Sequence, residues 1–283
     1  MNTYILFLHA LSPLHPGTGQ GVGGIDLPIA RERSTGIPYL PGSSIKGVLR
    51  DTAASKLAKD KLLALFGPET GSASEHAGAA VFGDARLLLL PVRSLAGVFA
   101  YVTSPYLLER FAREAGFAGL TPPALPAAPA SDDQCHLPPE SALKLGDKVY
   151  KVYLEDLDLS YQEAKELAEW GGWLAQHSGA QVKRRLCLVH DDVMGFLLET
   201  ATEVVARIRL EDETKTVADK ALWYEESLPA ESLLYSLISL GSSRKKAVEV
   251  ALDDLKSLLG YAQMGGKASV GRGLCRLKLG GSA

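Results

Sequence analysis

Thr3-Tyr-Ile-Leu-Phe-Leu-His-Ala-Leu11 leads into His15-Pro-Gly-Thr-Gly-Gln-Gly-Val-Gly-Gly24 and then Ile25-Asp26-Leu27-Pro28. The first run is apolar and short, the pattern of a buried strand. The glycine-dense loop behind it contains Gly19-x-Gly21-x-x-Gly24, which matches the dinucleotide fingerprint letter for letter. Its context does not match. The loop runs into Ile25-Asp26-Leu27-Pro28, which does not open a helix, and no acidic residue follows at the ribose-binding distance. No Gly-Lys-Ser/Thr ending marks a P-loop either. A nucleotide-dependent enzyme rests on those letters alone.

Each ordered glycine costs backbone entropy, so such a loop serves tight turns or the close approach of another chain. A second loop, Gly265-Gly-Lys-Ala-Ser-Val-Gly-Arg-Gly273, favours approach, because Lys267 and Arg272 lie inside it. Small residues admit a phosphate chain and the two cations pair with it. Pro38 and Pro41 keep the intervening segment extended. Ser43 or Ser44 then reads as the cap of a helix running to about Phe66, stopped by Gly67-Pro68. A helix N-terminus favours anions. Lys46 and Arg50, four residues apart, share one face near it.

The 283 residues are 46% hydrophobic and 22% charged, enough for a substantial core. No apolar run approaches the ~18 residues that span a bilayer. Tyr4–Leu11 lacks the basic flank and cleavage site of a signal peptide, so the expected location is the cytoplasm. Cys135, Cys187 and Cys275 lie far apart and read as free thiols; Cys187 with His190 and Asp191 is a weak zinc pattern. A net charge of −3 is unusual for a nucleic-acid binder, but it is unevenly spread. Residues 261–283 hold four basic side chains and no acid, and residues 1–50 hold four basic against two acidic. A polyanion responds to that local field.

Elsewhere the pattern predicts strands over Arg86–Val92, Gly97–Thr103, Lys148–Leu154, Arg185–Val189 and Gly273–Leu279, with a loop over 70–80. Helices are expected over 105–117, Tyr161–His177, about 230–240 and 244–259. The proline-rich stretch Thr121–Ser131 reads as an insertion or mobile loop. Glu203–Leu210 and Lys220–Glu225 flank a charged tip and read as a projecting β-hairpin. Strands and helices are intermixed without a Rossmann or barrel repeat, which makes the fold class α+β.

Several segments together resemble a known family. They are His15-Pro-Gly-Thr-Gly19, Ile25-Asp26-Leu-Pro-Ile-Ala-Arg31-Glu32-Arg33-x-Thr35-Gly36-x-Pro38 and Pro41-Gly-Ser-Ser-Ile-Lys46-Gly-Val-Leu-Arg50. Further along stand Phe82-Gly-Asp84-Ala-Arg86, Pro91-Val-Arg-Ser-Leu-x-Gly-Val-x-Ala-Tyr-Val-Thr-Ser-Pro105, Leu222-Trp-Tyr-Glu-Glu226 and the second glycine loop. This ordered set is similar to the RAMP-superfamily backbone subunits of type III-B CRISPR complexes, the family of the fourth protein of the Cmr complex.

The resemblance implies one RAMP-type domain over 1–283. Its modified RRM (ferredoxin-like) palm comes from both chain ends, with an insertion at about 105–145 and a thumb hairpin at about 203–226. It implies copies stacked along a guide CRISPR RNA beside other Cmr subunits, with target RNA cut endonucleolytically at regular intervals. It also implies a divalent metal, Mg²⁺ above all. By the same resemblance Asp26 is the cleaving residue, and His15 and Glu225 assist cleavage or RNA placement. Gly17, Gly19, Ser43, Ser44, Lys46, Arg50, Tyr224, Gly265, Gly266, Lys267 and Arg272 are the candidate RNA contacts. Ser227 stands where some relatives have a tyrosine.

The chemistry suits an exposed carboxylate, because RNA carries its own nucleophile in the 2′-hydroxyl and the protein must chiefly align it. Asp26 could accept that proton or hold a transient metal ion. A scaffold that binds guide RNA without cutting is the alternative.

Overall fold

The computed structural model describes all residues except Gln20, Val22, Gly23 and the segments 69–75, 147–149, 212–216, 244–247 and 281–283. The opening apolar run forms strand β1 (Asn2–Ala10). It is flanked on one side by β14 (Leu274–Leu279) and on the other by β12 (Leu233–Leu240), both antiparallel. Strand β4 (Ala85–Arg93) pairs beyond β12, also antiparallel. Numbered in chain order, these four strands stand fourth, first, third, second, which is the ferredoxin-like order of the expected palm.

The palm extends at both edges. Strand β13 (Gly260–Gln263) lies outside β14. Beyond β4 come β5 (Phe99–Thr103), β9 (Leu186–Val189), β6 (Gln134–Leu137), β8 (Leu157–Glu163) and β7 (Lys151–Leu154). Short strands β2 (Tyr39–Leu40) and β3 (Ala80–Phe82) attach to β4 and β12.

Alternation along β1 sends its side chains to two cores. Leu6 and Leu8 pack with Ile45 and Leu49 of α1 (Gly42–Lys56), Leu65 of α2 (Lys59–Phe66) and Leu197 of α5 (Asp191–Thr200). Ile5 and Phe7 pack with Phe111 of α3 (Pro105–Phe117) and Trp170 of α4 (Lys165–Ser178). Both sheet faces are therefore covered. An RRM stacks bases on an open sheet face; here helices close both. Thr121–Ser131 has no regular structure, as expected, but it packs: Trp170 donates its indole N–H to the Ala124 carbonyl at 2.9 Å.

Five expectations need correction. Neither Ser43 nor Ser44 caps the helix. Pro41 is the N-cap, and the Gly42 amide donates to Asp84 Oδ1 at 2.8 Å, so the capping carboxylate comes from a distant loop. The helix also breaks, with Leu57 extended between α1 and α2. Residues 161–163 belong to β8, whose buried Leu159 and Tyr161 alternate at period two, and the helix starts only at Lys165.

Residues 233–240 form the central strand β12 rather than a helix. The run Leu-Leu-Tyr-Ser-Leu-Ile-Ser-Leu is apolar on both faces and carries no periodicity to separate the two structures. Of the helix expected at 244–259, the described residues are helical only over α6 (Leu252–Lys256), and 248–251 and 257–259 lie outside it. The loop expected at 70–80 falls mostly outside the described residues, as do the first two residues of the strand expected at Lys148. Strands β6 and β13 and helix α5 carried too few patterned residues to stand out.

The hairpin is present as a separate two-stranded sheet, β10 (Glu203–Leu210) with β11 (Val217–Ser227). Opposed pairs run from Glu203↔Ser227 to Ile208↔Leu222. Val204, Ile208, Leu222 and Tyr224 are exposed large apolar side chains on it. Its base, not its tip, holds the candidate site.

Candidate nucleic-acid interface

Tyr224-Glu225-Glu226 at the base of β11 gathers three segments that are far apart in sequence. The Asp26 loop runs beside it as a one-residue parallel bridge, Leu27↔Glu225. The Leu27 amide donates to the Tyr224 carbonyl at 3.1 Å, and the Glu226 amide to the Leu27 carbonyl at 3.0 Å. This register delivers Asp26: its Oδ2 accepts the Tyr224 amide at 2.8 Å while the residue stays exposed. One carboxylate oxygen is thereby fixed and Oδ1 is left for chemistry.

His15 is buried on the other side of the same strut. Its Nδ1 lies 2.6 Å from the Glu226 carbonyl, which can only accept, so Nδ1 carries a hydrogen. In the neutral ring Nε2 is then the lone-pair nitrogen. It faces Gly17, where a Cβ would stand 2.6 Å from Nε2. The His15 backbone pairs with Gly266, whose amide donates to the His15 carbonyl at 2.8 Å. Gly265, at φ 72°, passes so close that a Cβ would stand 2.6 Å from that carbonyl oxygen. Only glycine permits this junction of the two loops.

Glu225 faces the second loop. Its Oε1 accepts from Lys267 Nζ and from the Trp223 indole, each at 2.8 Å. Burial alone would push its carboxyl up. The Lys267 and Trp223 hydrogen bonds, with the charges of Lys267 and Arg207, outweigh burial and hold it below the usual glutamate range. Glu225 is thus a 3% exposed tether for Lys267 rather than an exposed acid. Arg272 is buried too, with Nη1 3.1 Å from Ser227 Oγ. It anchors the loop to the strand at Ser227.

The sequence did not single out Glu226, although it makes the densest set of contacts. Its Oε1 accepts from Arg31 at 2.6 Å and Thr202 at 3.0 Å, and Oε2 accepts the Ile29 amide at 3.0 Å. Arg31 also donates to the carbonyls of Gly36 and Leu198. Hairpin, Asp26 loop and α5 are locked together by this one buried pair. A glutamate adjacent to Glu225 inside a strand was the available signal.

Five of the eleven predicted RNA contacts, Gly17, Ser43, Ser44, Gly265 and Gly266, line one cleft of about 370 Å³. The Gly42 amide at the helix start is taken by Asp84 and the Ser44 amide by the Pro41 carbonyl. Ser43 offers the open amide of this turn. Lys46 has no partner among the described residues, whereas Arg50 donates to the Gly67 carbonyl at 2.8 Å and closes α2. Gly19 is exposed at φ 98° and lines no described cavity. Among the described residues no group of three or more His, Cys, Asp or Glu side chains converges as a metal site. The cysteines are free and buried, and His190 caps α5 by accepting the Asp192 amide.

A mixed sheet, a separate two-stranded hairpin and two glycine loops meeting at its base make up the site. The sequence pattern of the RAMP superfamily matches residues 7–276, and the chain belongs to that superfamily. Over 296 residues it is 40% identical to the CRISPR system Cmr endoribonuclease Cmr4 of Pyrococcus furiosus, covering 99% of this chain and 96% of that protein. The crystal structure of oligomeric Cmr4 from Pyrococcus furiosus superposes with a TM-score of 0.74 at 30% identity, covering 100% and 99% of the two chains. A chain of the type III-B Cmr-beta complex bound to cognate target RNA shares the fold, with a TM-score of 0.75 at 20% identity over 99% and 97%. No helix among the described residues is long and apolar enough to cross a membrane.

Proposed function

We propose that this chain is a guide-RNA-binding backbone subunit of a type III-B Cmr effector complex and that it cuts complementary target RNA endonucleolytically at regular intervals. Its partners are guide CRISPR RNA, target RNA, further copies of itself and other Cmr subunits, in the cytoplasm. The observation that carries the reading is the strut Tyr224-Glu225-Glu226, which brings Asp26, His15 and Lys267 to the base of the thumb. Full-length similarity to a protein named as a Cmr endoribonuclease supports it.

In the proposed reaction the 2′-oxygen bonds to phosphorus as the bond from phosphorus to the 5′-oxygen breaks. This leaves a 2′,3′-cyclic phosphate and a 5′-hydroxyl. Asp26 Oδ1 receives the 2′-hydroxyl proton, the departing 5′-oxygen gains one from water, and His15 helps to place the RNA. The Tyr224 amide fixes the rotamer of Asp26, so little alignment entropy is left to lose. One exposed carboxylate oxygen suits only a hydrated Mg²⁺ shared with the RNA phosphate, which would neutralise charge there. Single-site phosphorothioate substitution at the scissile phosphate, read in Mg²⁺ and in Mn²⁺, tests that part.

The whole reading is tested by reconstituting the complex with Asp26→Asn. Cleavage should fall by roughly 10²–10⁴-fold, the usual contribution of a general base, while guide and target binding hold. Unchanged cleavage would leave the non-cutting scaffold as the function.

A further inference from the structure

The Asp26 loop has a second side. Gly24, Ile25 and Pro28 form one wall of a cavity of about 530 Å³. The facing wall is α5, through Gly195, Phe196 and Glu199, and the Arg31–Glu226 pair closes the floor. That volume lies within the roughly 300–1,000 Å³ of small-molecule sites. Phe196 stands 51% exposed on this wall, although α5 buries its neighbours Leu197 and Leu198 in the core.

The charges exclude a phosphate here. The one cation on the lining, Arg31, is committed to Glu226 and to two carbonyls. Glu199 is an exposed acid that would repel a phosphate. An uncharged flat group is what such a lining accepts: an aromatic face for stacking, with carboxylate oxygen at the rim for an amino group. The cleavage chemistry supplies that group. Aligning the 2′-oxygen with the scissile bond requires the nucleotide at that step to leave its stack, and its base must then go somewhere. The backbone that carries Asp26 is the partition between that step and this cavity.

We propose that the cavity between the Asp26 loop and α5 receives the unstacked nucleobase of the target RNA at the scissile step, with Phe196 as its stacking platform. The inference rests on the proposed cleavage by Asp26. Because base pairing to the guide already holds the target, the cavity changes the fraction of target in the splayed, reactive arrangement rather than its affinity.

The test uses the reconstituted complex with target pre-bound under single-turnover conditions. Phe196→Ala should slow cleavage roughly tenfold, the scale of one lost base–aromatic stack, and leave target affinity unchanged. Phe196→Tyr should keep the rate. An abasic ribonucleotide, placed in turn on each side of the scissile phosphate, should at one of these positions make wild type and Phe196→Ala cleave equally. Normal cleavage by Phe196→Ala overturns the inference. So does an equal slowing on every abasic target, or poorer assembly of copies along the guide, either of which would assign Phe196 to a contact between subunits. Asp26→Asn is run in parallel: if it cleaves like wild type, the cleavage reading itself fails, whatever Phe196 does.

Discussion

The two cavities beside the thumb base are built from opposite materials. One is lined by glycines, two serines and the open Ser43 amide, with Lys46 nearby and Lys267 on the adjoining loop. The other has an exposed phenylalanine, an exposed acid and an arginine already spent on its neighbours. The first suits a charged backbone that must come close; the second suits a flat neutral ring. The Asp26 loop lines the second through Gly24, Ile25 and Pro28. If the proposed function holds, the two linings would separate phosphate from base at the point of cleavage.

The strongest way to break the contrast is to cut the partition loose. Glu226→Ala removes a buried carboxylate and strands Arg31, a change that costs about 3 kcal/mol. It should lower the denaturation midpoint of the isolated protein and impair cleavage in the complex more than guide binding. Equal loss of both would mean that the two sides do not act separately.

A milder test addresses the phosphate side alone. Lys46→Ala should weaken guide binding by a few fold and reduce the salt slope by ~0.7, one single-strand phosphate contact, without touching the rate on bound target. Lys46 is the cleaner probe, because removing Lys267 also leaves the buried Glu225 carboxylate without its main partner. A slope identical to wild type would take Lys46 out of the interface.

The smallest effect concerns neither cavity. Burial lowers the pKa of His9, opposed by Glu231, and lowers that of His136. Below the ordinary histidine value of about 6.5 the unfolded chain then binds more protons than the folded one, so stability falls as pH drops. Melting curves between pH 7 and pH 5 should show this decline, and His9→Gln should flatten it. A decline just as steep in that variant would place the titration elsewhere.

Much of this architecture was legible in the sequence because its signals are local. Strand β1, the hairpin and the two glycine loops announce themselves by alternation, a charged turn and residue size. What stayed hidden depends on distant partners. Asp84 caps a helix that begins at Gly42, and Glu226 holds Ile29 and Arg31 from almost 200 positions away. Leu233–Leu240 failed for another reason: a strand buried on both faces loses the polar half of its pattern. Asp26 was identified through a resemblance of ordered motifs, and the structure adds its partner, the Tyr224 amide.

The pairing of β1 with β12 and β14 also sets a timetable. The first strand leaves the ribosome early but finds its neighbours only after more than 220 further residues have been made. The second glycine loop, which completes the phosphate cleft, lies between those late strands. A nascent or prematurely terminated chain therefore lacks the loop that completes the cleft beside Gly17, Ser43 and Ser44.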